Sequence, residues 1–255
     1  MVQLNYKKAG EGRPLIVLHG LFGSLDNWAT LSRKWMDRYT VYLVDLRNHG
    51  KSPHTDTHSI DDMVGDLVKF IDDHEIQKPV VLGHSMGGKV AMELALSRPE
   101  LLSGVIVVDI GPQAYGRGHD YIFEGVNALN MDEVSSRKEI EETLSQSIPN
   151  RAEVLFMSKN VDRTQSGFKW KINVDVLEKD YENIIVPIAP GRTFDGPALF
   201  LSGERSDYLQ PHQHDLIREL FPRVEIVTIP NAGHWIHAEN PEDFDEQVRQ
   251  FMDNL

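Results

Sequence analysis

Short apolar runs alternate with stretches of helical patterning along most of this chain. The runs fall at 14–18, 41–45, 79–83, 104–109, 197–202 and 224–229, with one more before residue 10, and each predicts a strand. Between them the pattern predicts helices near 27–38, 59–74, 86–97, 211–220 and 241–254. Continuously apolar strands that alternate with helices imply a mostly parallel sheet with helices on both faces. The predicted fold class is α/β.

The rhythm breaks between about 112 and 190. Segments 121–129, 135–147 and 152–159 read as helical, 174–181 less strongly so, and no two strands pair cleanly there. Roughly 80 residues is too long for an ordinary crossover. The expected organisation is a core of residues 1–111 and 191–255 with a helical cap, 112–190, inserted above the sheet. The chain has neither internal repeats nor low-complexity segments.

Composition narrows the class further. With 255 residues, 40% of them apolar, and a mean hydropathy of −0.36, the chain reads as a soluble globular protein able to bury a large core. No run approaches the 18 apolar residues of a membrane span, and the first residues do not read as a signal peptide, so membrane insertion is not expected. A net charge of −13 disfavours nucleic acid as a partner, because phosphate binding needs a basic face. The absence of cysteine excludes disulfides, iron–sulfur clusters and thiol catalysis, and fits a reducing cytoplasm.

Candidate chemistry begins at Gly83-His84-Ser85-Met86-Gly87, a G-x-S-x-G pattern. A β-branched run leads into it and a helix-prone stretch leaves it, which is the strand–turn–helix setting that exposes a nucleophilic serine. The flanking glycines allow the sharp turn, and the Met86 N–H at the helix start favours an anion. A serine nucleophile needs a base. His234 follows Gly233 on the loop after the last predicted strand, where an imidazole can take and return a proton. His237, its nearest competitor, reads as a surface residue at a helix start. The orienting carboxylate is open between Asp109 and Asp207, each following an apolar run, and Ser206 could serve as a neutral bridge.

Four segments carry a family resemblance: His19-Gly20-Leu21-Phe22-Gly23-Ser24 with Asn27-Trp28, Asp45 to Ser52, Gly83 to Gly88, and Asn231 to Trp235. Together they resemble the α/β-hydrolase superfamily, and over nearly its whole length the chain resembles the bacterial YbfF-type esterases. The resemblance implies an oxyanion hole from the N–H groups of Met86 and of Leu21 or Phe22. The cap is expected between strands six and seven, above the nucleophile. Superfamily habit points to Asp207 as the acid. The YbfF-type pattern points instead to Asp109, with Ser206 as helper, and the chain departs from that pattern by carrying an acid at 207. Asp109 is the favoured reading.

Residues 151–171 are locally basic, with Arg151, Lys159, Arg163, Lys169 and Lys171 against Glu153 and Asp162. A solvated helix face is the ordinary explanation. The functional one is a positive rim, with Arg163, Lys169 and Lys171 attracting a phosphorylated carrier such as coenzyme A. His54, His58, His212 and His214 lack partners at metal-ligand spacing, so neither metal nor other cofactor is expected. The expected function is hydrolysis of small-molecule carboxylic esters or acyl-CoA thioesters through an acyl-enzyme on Ser85. The alternatives are a C–C bond or lactone hydrolase using the same triad, and a non-catalytic ligand receptor. Acyl length, leaving group and oligomeric state are not legible.

Overall fold

The computed structural model describes residues 1–165 and 167–255. Its strands are β1 (Tyr6–Ala9), β2 (Arg13–Leu18), β3 (Tyr39–Val44), β4 (Val80–His84), β5 (Gly104–Val108), β6 (Val161–Thr164), β7 (Gly167–Trp170), β8 (Ala198–Gly203) and β9 (Val224–Ile229). Seven of them form one sheet in the order β1-β3-β2-β4-β5-β8-β9. All neighbours run parallel except β1, which pairs antiparallel with β3 at one edge.

The helices are α1 (Ile60–Asp73), α2 (Met86–Ser97), α3 (Asp120–Asn127), α4 (Arg137–Ser147), α5 (Arg151–Ser158), α6 (Val174–Lys179), α7 (Glu182–Ile185), α8 (His214–Leu220), α9 (Ile236–Glu239) and α10 (Pro241–Asp253). Capping sets the long ones. The Ser59 hydroxyl accepts the Asp62 N–H at the start of α1, and Asn240 caps α10 just before Pro241. Met63, Leu67, Phe70 and Ile71 of α1 pack on one face of the sheet, while Phe244, Val248 and Met252 of α10 pack on the other. The central strands are buried on both faces for this reason, and the sheet positions its carboxyl edge rigidly. No helix among the described residues is long and apolar enough to cross a membrane.

Two local expectations are corrected. The helix expected over 27–38 is instead two 3₁₀ turns, Leu25–Trp28 and Leu31–Lys34. Buried Leu25, Trp28 and Leu31 recur every third residue, which is the 3₁₀ period, and burying them fixes the tighter winding. The interval expected to lack paired strands contains the β6–β7 hairpin, with Val161 opposite Trp170 and Arg163 opposite Phe168. In β7, Phe168-Lys169-Trp170 alternates apolar and charged with the period of two that a strand needs, whereas the adjacent charges Asp162 and Arg163 break that pattern in β6.

The chain leaves the sheet after β5, the fifth strand of this chain, and returns at β8; α3 to α7 and the hairpin lie between. The two limbs of this excursion are tied at their base. Ile188 N–H donates to the Pro112 carbonyl at 2.7 Å, and Tyr115 N–H to the Ile185 carbonyl at 2.9 Å.

Candidate active site

Ser85 sits between β4 and α2 with φ 52° and ψ −116°, a conformation that L-residues adopt only when the surroundings enforce it. Close packing does the enforcing. A Cβ on Gly83 would lie 2.0 Å from the Gly87 carbonyl, and one on Gly87 would lie 2.6 Å from the His19 carbonyl. Ser85 N–H is held by the Val108 carbonyl at 3.0 Å, so the turn is also locked to β5. The loop after β2 crosses directly over it: a Cβ on Gly20 would come within 3.2 Å of Ser85 Cβ.

That loop separates the two N–H groups singled out there. Phe22, at φ 60°, donates its N–H to His49 Nε2 at 3.2 Å. His49 Nδ1 lies 2.9 Å from the Arg47 carbonyl, so its proton is on Nδ1 and Nε2 accepts. Burial holds His49 well below the ordinary imidazole range, which keeps it neutral. The N–H of Phe22 is therefore engaged. Among the described residues, no protein acceptor takes the N–H of Leu21 or of Met86.

Asp109 follows β5 directly, at φ 51° and fully buried. His234 Nδ1 lies 2.8 Å from Asp109 Oδ2, and the Ser206 hydroxyl donates to the same oxygen. The Gly203 N–H occupies the other carboxylate oxygen at 3.0 Å. Three donors, from the end of β8, the loop that follows it and the loop after β9, thus fix this carboxylate. Asp207 is exposed, and no hydrogen bond joins it to the imidazole among the described residues. The two acids separate because Asp109 turns inward at once from a buried strand, whereas Asp207 lies out on the β8–α8 loop.

His84, beside Ser85, places its Nε2 2.9 Å from the His234 carbonyl, tying the serine turn to the histidine loop. A carbonyl only accepts, so Nε2 carries the proton, and burial keeps this ring neutral as well. His237 is packed inward rather than sitting on the surface. Its ring stacks on Trp28 at 4.3 Å, and burial pulls its pKa down to about 3.

Ser85 opens into a cavity of about 240 Å³ walled by Leu21, Met86, Ile110, Ile184 and Ile185 and by the rings of Tyr115, Tyr181 and Tyr208. Asp207, His119 and Lys89 complete the lining. His119 Nδ1 is 2.6 Å from Tyr181 Oη, and burial lowers its pKa to about 4. Lys89 stands one turn after Ser85 and is 1% exposed. Its ammonium donates to the carbonyls of Gln113 at 2.6 Å, Val186 at 2.8 Å and Pro112 at 3.4 Å. Burial brings its pKa from 10.5 to about 7.

The expected positive rim lies elsewhere. Among the described residues, neither Arg163, Lys169 nor Lys171 lines the cavity, and Lys171 pairs with Asp162 at 3.7 Å. The hairpin carries them past the wall, and Arg163 and Lys169 are both exposed there, on opposite faces of it. Sequence reading missed Lys89, His119 and Tyr208. Lys89 sits in a helix-forming stretch, where nothing local marks it as buried, and the other two are loop residues whose neighbours come from distant segments. Among the described residues, no three His, Asp or Glu side chains are grouped so as to hold a metal ion.

The model of a family described as the alpha/beta hydrolase fold matches residues 13–241. The chain belongs to that family. The match takes in the serine turn, both candidate acids and the histidine loop. Over 94% of its length this hydrolase is 33% identical to esterase YbfF of Escherichia coli (strain K12), covering 93% of that protein. It is 36% identical to the sn-1-specific diacylglycerol lipase ABHD11 of Danio rerio over 95% of this chain and 79% of the relative. A solved marine microorganism esterase superposes with a TM-score of 0.96 at 41% identity, covering 98% of this chain and all of that one.

Proposed function

We propose that Ser85 is the nucleophile of a serine ester hydrolase, with His234 as general base and then general acid, and Asp109 as the acid that orients it. Ser85 Oγ attacks the acyl carbonyl carbon while His234 Nε2 takes the hydroxyl proton. The tetrahedral oxyanion is met by the N–H groups of Met86 and Leu21, each contributing about 3 kcal/mol. Collapse expels the alcohol, which leaves with the proton from His234. Water then repeats the sequence on the acyl-enzyme and releases the acid. The observation that carries this reading is the 2.8 Å bond between Asp109 and His234 at the strand edge that also presents Ser85. Ester hydrolysis is the activity named for the esterase and lipase relatives, and the wall is largely apolar, as an acyl chain requires.

Residues 112–190 act as the lid in this reading, since Tyr115, His119, Tyr181, Ile184 and Ile185 form much of the cavity wall. Acyl-CoA is the second substrate class. Arg163 and Lys169, exposed on the hairpin outside the cavity, are the cations that the phosphates of such a carrier would have to reach. The cysteine-free chain suits a cytoplasmic setting.

An organophosphonate is expected to add its mass to Ser85, and Ser85→Ala should keep less than about a thousandth of kcat on p-nitrophenyl esters. Label on another residue, or higher activity in the variant, would reject the assignment. Matched acyl-CoA thioesters of graded length, assayed alongside, decide between the two substrate classes.

A further inference from the structure

We infer that Tyr208 is a positioning residue for His234, and that Tyr115, in the base of the excursion, holds Tyr208 in place. The inference rests on His234 being the general base. The Tyr208 ring lies 3.9 Å from the imidazole, centroid to centroid, at an interplanar angle of 21°. A single in-plane bond to Asp109 leaves the imidazole free to tilt about the line of that bond. A flat ring at contact distance removes the tilt, and so keeps Nε2 aimed at the serine.

Tyr208 is itself held at both ends of its backbone. Its N–H donates to Ser206 Oγ at 3.2 Å, and its carbonyl accepts the Tyr115 hydroxyl at 2.7 Å and the Gln113 amide at 3.3 Å. The Tyr115 oxygen also accepts the Gly111 N–H at 2.7 Å and a second bond from the Gln113 amide. One donor and two acceptor positions are all a phenol has, so this hydroxyl is fully used inside the protein. Burial pushes its pKa far above the ordinary value, so it remains a donor across the working range. Lys89, 5.1 Å from the centre of the Tyr115 ring, anchors the same stretch through the Gln113 and Pro112 carbonyls. A continuous chain of contacts therefore runs from the base of the excursion through Tyr115 and Tyr208 to the imidazole, without passing through substrate.

Tyr115→Phe removes one oxygen and keeps the ring on the cavity wall. It should lower kcat for a p-nitrophenyl ester about tenfold, leave KM within about twofold, and broaden the low-field proton resonance of the His234–Asp109 bond. Tyr208→Leu should lower kcat further, whereas Tyr208→Phe, which keeps the ring face, should recover most of that loss. Wild-type kcat and an unchanged resonance in Tyr115→Phe would overturn the inference, and so would full kcat in Tyr208→Leu. If Tyr208→Leu does not fold, Tyr115→Phe alone decides. His234→Asn is measured in parallel. Should that variant keep its kcat, the general-base assignment fails; should it lose kcat while the tyrosine variants do not, only the present inference fails.

Discussion

Asp109 and Asp207 look alike in sequence, since each follows an apolar run near the end of a strand, yet of the two it is Asp109 that hydrogen-bonds the imidazole. Local pattern placed Ser85 and His234 on their turns, because glycine spacing and the strand that precedes each are local properties. The acid was not legible in the same way. Its contact with the imidazole depends on which loop folds back under the histidine, which is decided by the packing of β5 against β8 and by the Ser206 and Gly203 donors. Asp109→Asn should lower kcat by about 10⁴, as expected when the orienting acid is lost, and Asp207→Asn by no more than a few-fold. Steady-state kinetics of the two variants side by side checks this; a larger loss in Asp207→Asn would reverse the assignment.

At the scale of elements, the core was legible wherever one periodicity dominated. The run at 224–229 and the amphipathic pattern at 241–254 both fold as read, as β9 and α10. Mixed signals were misread. The tryptophan-anchored turns after β2 carry apolar residues every third position, and the hairpin alternates only over Phe168-Lys169-Trp170, too short a run to stand out between helices. Lys89 was invisible because an ammonium in a helix is ordinarily solvated. Its folded pKa of about 7 lies below the 10.5 of an exposed lysine, so between these values the unfolded chain binds more protons. Stability from this group therefore rises with pH across that window. Urea unfolding of wild type and Lys89→Met at pH 7.5 and 9.5 should show wild type gaining about 2 kcal/mol relative to the variant. Parallel changes in the two would show that Lys89 does not titrate there.

For the molecule as a whole, the sheet and its two covered faces followed from the alternation of strands and helices. The excursion's helices were also legible, but not its contacts with the site. Nor could sequence show that the chain buries so many imidazoles. Burial depresses His58 and His237 to about 3 and His119 to about 4, and holds His19, His49 and His84 below the ordinary range. In the unfolded chain each would titrate near 6.5. As pH falls below that value the unfolded state takes up protons that the folded state refuses, so stability is lost on acidification. Each group contributes up to about 1.4 kcal/mol per pH unit. Thermal melts should fall steeply from pH 6.5 to 5 and change several-fold less per pH unit from 6.5 to 7.5. A flat profile below 6.5 would mean that these rings are more open to water than their packing indicates.

The paired bonds at the base of the excursion bear on how it can move. Residues 112 and 188 enter and leave the core side by side, and the Lys89 ammonium grips the carbonyls of Pro112 and Val186 together. Two separate tethers would let the intervening chain slide, twist and lift independently at each end. Joined at the base, the two limbs move as one there, and farther out the excursion is bonded to the core again, by Asn160 Nδ2 to the Phe22 carbonyl at 2.6 Å and by the Asn173 N–H to the Asn48 carbonyl at 3.0 Å. Tyr115 sits at that joined base, its N–H on the Ile185 carbonyl and its hydroxyl on the Tyr208 carbonyl, so a small displacement of the limbs would reach the imidazole without any larger opening of the cavity.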